Sequence, residues 1–187
     1  MGLDYEIHPI NITKDEQFDP EFLKISPNNK IPALVDGSQT VFESAACLIY
    51  LAEKTGRFLP SRGPERVVVL EWLMFQMGGF GPILGQAHHF LKFNPGVSTY
   101  AEDRFSAEAR RLYSVLDGQL AKDRYVAGPD LSIADFAIWP WASRFEWQQI
   151  DMAAYPHVTR WYEELAARDG FIAGYDVPRS GQKIPHP

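Results

Sequence analysis

An α/β half followed by an all-helical half is the fold class this sequence predicts, and three observations predict it. Short strand-like runs stop before about Phe58. The segment Leu59-Pro60-Ser61-Arg62-Gly63-Pro64 is polar and rich in breakers, which reads as a link between domains. Every periodic stretch beyond it repeats at helical spacing. The expected units are therefore an α/β domain over 1–58, an all-helical domain over 64–176 and an irregular tail over 177–187.

Within the first unit, Leu3, Tyr5 and Ile7 alternate with Asp4, Glu6 and His8, the period-two pattern of a half-buried strand stopped by Pro9. Asp19 followed by Pro20 predicts a capped helical turn through Lys24, with Ser26-Pro27-Asn28-Asn29 as a loop. Ala33-Leu34-Val35 and Thr40-Val41-Phe42 flank Asp36-Gly37-Ser38-Gln39. Gly37 tolerates positive φ, so the two runs should form an antiparallel hairpin. Ala45, Leu48, Ile49 and Ala52 then recur at helical spacing, and Lys54-Thr55-Gly56 supplies a basic last turn and a glycine stop.

In the second unit a helix should run from Pro64 through Trp72 and Phe75 and bend near Gly78-Gly79-Phe80-Gly81-Pro82. Phe105, Ala109, Leu112, Leu116 and Leu120 mark the apolar stripe of the next helix. Ser132-Ile133-Ala134-Asp135 has the form of a capping box opening a third. Pro156 opens a further helix with Val158, Trp161 and Leu165 inward and Gly170 just past its end. The tail has three prolines and little to bury, so it should be irregular or mobile.

Composition narrows the function classes. The 187 residues carry a formal net charge of -6, which disfavours non-specific nucleic-acid binding because no basic face is evident. Charged residues make up 22% of the chain, and no uninterrupted apolar run approaches the ~18 residues of a membrane span. A soluble, cytoplasmic protein is the expectation, with no membrane or nucleic-acid partner. Cys47 is the single cysteine, which agrees with a reducing compartment. Between apolar neighbours it should be a buried thiol of raised pKa rather than a redox centre.

Several residues have two readings on their own chemistry. Pro32, before a strand, reads on spacing alone as a trans strand-entry proline. Lys30 is equally a solvated lysine or a point charge beside a strand edge. Ser44 at a helix start is an N-cap, and the same free N–H groups and positive dipole end can hold a carboxylate. Gln17 is a loop glutamine, solvated or ligand-facing. His88 and His89 point about 100° apart on a helix and cannot readily share one metal, so no metal is expected there.

Taken together, Phe22 to Tyr50 resembles the thioredoxin-like half of glutathione transferases. Trp72, Phe75, Gln76, Gly78-Gly79, Gly81-Pro82, Gly85-Gln86-Ala87-His88-His89-Phe90, Ser132-Ile133-Ala134-Asp135 and Trp139-Pro140-Trp141 resemble its bacterial disulfide-bond-oxidoreductase (nu-like) branch. That branch is related to the yeast prion-forming nitrogen regulator. The resemblance runs from about Leu3 to Leu165 and implies a glutathione transferase fold with glutathione as co-substrate.

It further implies a cis Pro32, which turns the N–H and C=O of Ile31 outward to pair with the cysteinyl residue of glutathione. Lys30 would meet the glycine carboxylate, Ser44 the γ-glutamyl carboxylate and Glu43 the ammonium group, with Gln17 a further contact. His88 and His89 would line a second-substrate pocket or the edge of the core. Arg104 and Arg111 would be solvated, intersubunit, or in contact with ligand bound at the partner subunit. Members of the family are homodimers joined partly through the helices corresponding to 65–90 and 102–120. Their substrates are small thiols, disulfides or electrophiles.

The family's first strand and helix, about 25–30 residues carrying the thiol-activating group, have no counterpart before Leu3, so the expected thioredoxin-like half is truncated. Three readings follow. The favoured one is a glutathione-dependent disulfide reductase or conjugating enzyme whose start lies upstream of Met1. The second is a catalytically inactive glutathione-binding or scaffold protein. The third gives His88 or Tyr50 the missing role. A strand at 3–7 lying one strand spacing from 33–35 would mean an adapted sheet, and a gap of two spacings, about 9–10 Å, a missing central strand.

Overall fold

Asp36 and Gln39 close a two-residue turn in which Gly37 takes φ 60°, a conformation that suits a residue without a Cβ. The turn joins β1 (Ala33–Asp36) to β2 (Gln39–Phe42) in an antiparallel ladder of register Ala33↔Phe42, Leu34↔Val41, Val35↔Thr40 and Asp36↔Gln39. The computed structural model describes residues 1–179 and 181–187. They divide into two units, Met1–Ser61 and Arg62–Pro187.

In the first unit α1 (Pro20–Leu23) starts as its sequence predicts. The Asp19 carboxylate accepts the Glu21 N–H at 2.7 Å, and Pro20 occupies the first helical position, where no donor is required. After β2 the chain enters α2 (Ser44–Thr55), which buries Ala45, Cys47 and Ala52 and ends on Gly56 at φ 63°. Asp36 ties the turn of the hairpin to this helix, accepting the Tyr50 hydroxyl at 2.7 Å and pairing with Lys54.

The expected strand over residues 3–7 does not form. This segment is irregular, Tyr5 is 73% exposed, and β1–β2 is the only sheet among the described residues. Alternation supplies a strand with two faces, but a strand also needs a neighbour for its ladder and a surface to cover. Neither strand spacing from 33–35 applies, because residues 3–7 are outside the sheet.

The second unit is helical, with α3 (Pro64–Phe75), α4 (Gly81–Ala87), α5 (Thr99–Leu120), α6 (Ile133–Ala142), α7 (Pro156–Ala166) and α8 (Asp169–Tyr175). Residues 64–93 are one continuous helical run in which Gln76–Phe80 and His88–Phe93 are π-helical turns. The first π turn ends beside Pro82, which has no N–H to give to the ladder. This run is long and apolar enough to cross a membrane by length and composition, which the broken apolar sequence concealed. Its Val69, Leu73, Phe80, Leu84 and Ala87 are buried within the helical unit.

Gly81 and Gly85 let the indole of Trp141 approach closely. A Cβ at 81 would lie 3.3 Å from that ring and 2.4 Å from the Gln76 amide nitrogen. The predicted capping box is complete, with Asp135 accepting the Ser132 N–H at 2.9 Å. Asp135 is fully buried and also accepts from Val126 N and Trp161 Nε1, so one carboxylate joins a loop, α6 and α7. Asp117 of α5 likewise accepts the N–H groups of His157 and Val158 at the start of α7.

One expectation about the C-terminal region needs correction. Gly170 does not follow the end of a helix. Arg168 breaks the chain in extended conformation after α7, and Gly170 lies inside α8, whose Phe171 packs edge-on to Trp139 at 5.0 Å. The tail is irregular in backbone but tied down: the Tyr162 hydroxyl donates to the Pro185 carbonyl at 2.7 Å, and the Asp176 carboxylate accepts the N–H groups of Gly181 and Gln182.

Candidate functional site

The loop that leads into β1 is built from the end of α1. Ser26, only 1% exposed, donates its backbone N–H to the Phe22 carbonyl at 2.9 Å and its hydroxyl to the Lys30 carbonyl at 2.7 Å. Asn29 turns the chain at φ 48°. The Ile31–Pro32 peptide is cis, contrary to the reading of Pro32 from spacing alone and as the resemblance implies. Ile31 is 51% exposed and Lys30 projects to solvent beside it.

The hairpin register brings the other half of the site here. Ala33 pairs with Phe42, so Ile31–Pro32, just before the first rung, and Glu43–Ser44, just after it, share one end of the ladder. The Asn28 amide reaches the Glu43 carboxylate at 3.4 Å, linking the two segments through side chains.

Glu43, rather than Ser44, is the cap residue of α2, and Ser44 is its first helical residue. Glu43 adopts φ 68°, ψ 123°. For a residue with a Cβ this is a strained conformation, which costs on the order of 1–3 kcal/mol and concentrates at ligand-binding positions. No periodicity or propensity signals it, since glutamate has no preference for positive φ. The start of α2 presents N–H groups ahead of its first backbone bond, Cys47 N–H to the Glu43 carbonyl at 3.0 Å. Lys30, Ile31, Pro32, Glu43 and Ser44 thus gather at one edge that offers a strand-like backbone, a helix N-terminus, a cation and a carboxylate.

Gln17 sits half-buried in the 3-10 turn Glu16–Phe18, and its side-chain oxygen is buried without a partner among the described residues. Tyr50 donates to Asp36 at the far end of the hairpin, and that bond raises its pKa, so its hydroxyl is committed away from the Glu43 edge. Cys47 is buried, its thiol 3.4 Å from the Val41 carbonyl, and desolvation raises its pKa, as its sequence setting predicts.

In the helical unit His88 is a core residue. It stacks on Trp141 at 5.7 Å, meets Trp147 edge-on at 5.5 Å, and its Nε2 accepts from the Gln148 amide at 3.0 Å. Gln148 in turn accepts the buried Tyr113 hydroxyl at 2.7 Å. Burial and the Arg144 charge push the His88 pKa down to about 4, so the ring is neutral at pH 7. His89 is exposed and packs on Phe90, so adjacent histidines take opposite environments. Arg104 is exposed on α5, and Arg111 forms a two-pronged pair with Glu108 at 2.8 and 2.7 Å. Among the described residues no three metal-ligating side chains converge.

Comparison with known proteins gives this arrangement its lineage. Residues 1–53 match the family described as Glutathione S-transferase, N-terminal domain, and residues 80–169 the corresponding C-terminal domain. Disulfide-bond oxidoreductase YfcG of Escherichia coli K12 is 47% identical over 173 residues, covering 89% of this chain and 80% of that one. Disulfide-bond oxidoreductase YghU of the same organism is 40% identical, covering 96% of this chain and 66% of that one. The crystal structure of a Burkholderia graminis glutathione transferase, with two glutathione molecules bound per subunit, superposes with TM-score 0.88 at 37% identity. It covers 96% of this chain and 80% of that one. The matched segments run through both units, taking in the Ile31–Ser44 edge and the capping box at Ser132, and the chain belongs to the glutathione S-transferase family.

Proposed function

We propose that this chain binds glutathione along the Ile31–Ser44 edge and uses it as the reducing thiol toward disulfides, with conjugation to small electrophiles as a second chemistry of the same site. The observation that carries the reading is the Ala33↔Phe42 register, which sets an outward backbone edge beside a helix start. The N–H and C=O of Ile31 pair with the cysteinyl residue as a short added strand. The γ-glutamyl carboxylate rests on the start of α2 at Ser44, where the helix dipole favours an anion. Glu43 balances the ammonium group, Lys30 the glycine carboxylate, and Gln17 contributes a polar contact. None of these residues is assigned the role of activating the thiol.

In the reaction the glutathione thiolate attacks one sulfur of the substrate disulfide. That S–S bond breaks, the second sulfur leaves as a thiol after taking a proton, and a mixed disulfide remains. A second glutathione thiolate then attacks the glutathione sulfur of the mixed disulfide, giving glutathione disulfide and releasing the substrate's first sulfur, which takes a proton and leaves as a thiol. Relatives named as disulfide-bond oxidoreductases and a neighbour holding two glutathione molecules per subunit support this order of events.

The chain works as a homodimer in the cytoplasm. Exposed Val67 and Met74 on α3 and Tyr100 and Val115 on α5 support self-association, and the buried thiol of Cys47 suits a reducing compartment. Sedimentation velocity reads the first point directly.

The test of the site is calorimetric titration with reduced and oxidised glutathione, followed by turnover of a small aliphatic disulfide. Binding in the micromolar-to-millimolar range, lost in Ser44→Ala and Lys30→Ala, supports the edge as the site. A folded protein that binds neither form of glutathione overturns the proposal. Binding without turnover leaves the second reading, a glutathione-binding protein that does not catalyse.

A further inference from the structure

Beyond the last turn of α6, Arg144 presents a cation with no carboxylate partner among the described residues. Its guanidinium carbon lies 4.9 Å from the ring centroid of Trp147 and 5.3 Å from that of Tyr175, so it sits against two aromatic rings. Its side chain has no hydrogen bond and no carboxylate partner among the described residues, although it is half-buried. Tyr175, the last residue of α8, adds an independent observation. Its hydroxyl is buried and has no hydrogen-bond partner among the described residues.

The two unmet needs match. Guanidinium is a donor on every edge, and a tyrosine hydroxyl is a donor that buried proteins normally satisfy. Ring contact is not a hydrogen bond to an acceptor oxygen, so the N–H fork of the guanidinium can still take a bidentate acceptor. Beside it, Phe93 is 60% exposed and meets Trp147 edge-on at 5.5 Å, which extends an apolar surface from the charged point.

We propose that Arg144 and Tyr175 form a binding site for a small organic carboxylate, with the carboxylate on the guanidinium fork and the Tyr175 hydroxyl, and the apolar body against Trp147 and Phe93. The surrounding charges are consistent with a single anion. His88 is neutral, and Glu146 is exposed to solvent two residues along the chain. Glu146 disfavours an anion of higher charge, so a monocarboxylate is the class selected. The site lies wholly within the helical unit and does not depend on the glutathione reading.

The experiment is calorimetric titration of the full chain with benzoate, and with benzamide as the neutral probe of the same shape. Saturable benzoate binding in the millimolar range is expected, with benzamide weaker by roughly tenfold or more, since only the anion uses the charged fork. Arg144→Gln should weaken benzoate by about tenfold, and Tyr175→Phe, which removes one neutral hydrogen bond, by a few fold. Absence of benzoate binding by the folded protein overturns the proposal, as does equal binding of benzamide or an undiminished affinity in Arg144→Gln. If Arg144→Gln does not fold, Arg144→Lys keeps the charge without the fork. Weaker binding then supports the geometry, and unchanged binding overturns it. Glutathione titration of the same variants should be unaltered, which separates this site from the Ile31–Ser44 edge.

Discussion

Ser26 holds Lys30 through one hydrogen bond, its buried hydroxyl donating to the Lys30 carbonyl at 2.7 Å. That bond spans the loop that delivers Lys30 and Ile31 to the proposed glutathione edge. Removing the hydroxyl in Ser26→Ala leaves the carbonyl without its partner and should cost about 1 kcal/mol in urea denaturation, with unchanged slope. Glutathione affinity should fall with it, because the Ile31 backbone loses its fixed start. A variant of undiminished stability and affinity would show that the loop is held by its other contacts.

Two glycines with opposite surroundings make a paired test in the helical unit. At Gly81 a methyl group would collide with the buried Gln76 side chain at 2.4 Å and press on its backbone carbonyl at 3.2 Å and the Trp141 ring at 3.3 Å. Gly81→Ala should therefore destabilise by about 1–3 kcal/mol. Gly118 lies inside α5, and a methyl group there would meet no atom within 4 Å outside its own stretch of helix. At that position the same change should stabilise by about 0.5–1 kcal/mol, through helix propensity and a less free unfolded chain. Thermal unfolding of the two variants distinguishes them by sign.

His88 predicts the acid limb of the stability profile. Its folded pKa of about 4 lies below the unfolded value near 6.5, so in that interval the unfolded chain binds a proton that the folded chain does not. The stability contributed by the neutral ring is fully present above pH 6.5 and is lost as pH falls toward 4, by at most about 3 kcal/mol. Carboxylates titrate across the same interval, so the diagnostic quantity is the difference from His88→Gln. That variant should show a shallower fall between pH 6.5 and 4. Parallel profiles for the two proteins would mean that His88 does not resist protonation in the fold.

How much of this was legible in the sequence depends on the reach of the interaction. Asp19-Pro20, Gly56 and Ser132 with Asp135 carry their structural instruction within about one helical turn, and each cap forms as written. The hairpin was legible for the same reason, since a two-residue turn sets its register. Residues 3–7 show the limit. Their alternation is real, yet a strand exists only when a distant segment pairs with it. Gly170 was misplaced because a glycine serves as readily inside a short helix as after one, and the aromatic contact from Phe171 to Trp139 decides between them. At the candidate site, the roles proposed for Lys30, Pro32 and Ser44 rest on the family resemblance more than on their spacing. The Arg144–Tyr175 pairing spans 31 positions in the chain and leaves no local pattern to read.

Glu43 supplies the sharpest separation of stability from function. Its φ of 68° is imposed where β2 passes into α2, and a side chain makes that conformation costly. Glu43→Gly removes the Cβ and the strain, whereas Glu43→Ala keeps the strain and removes only the carboxylate. The glycine variant should therefore be more stable than the alanine variant by about 1 kcal/mol, even though glycine usually costs more conformational entropy on folding. Both variants lose the proposed partner of the glutathione ammonium group, so both should bind glutathione more weakly than the parent in calorimetry. Equal weakening in the two would place the effect on the carboxylate. A glycine variant that binds much worse than alanine would place it on the fixed backbone direction into Ser44, since only that variant frees the turn while both lack the charge.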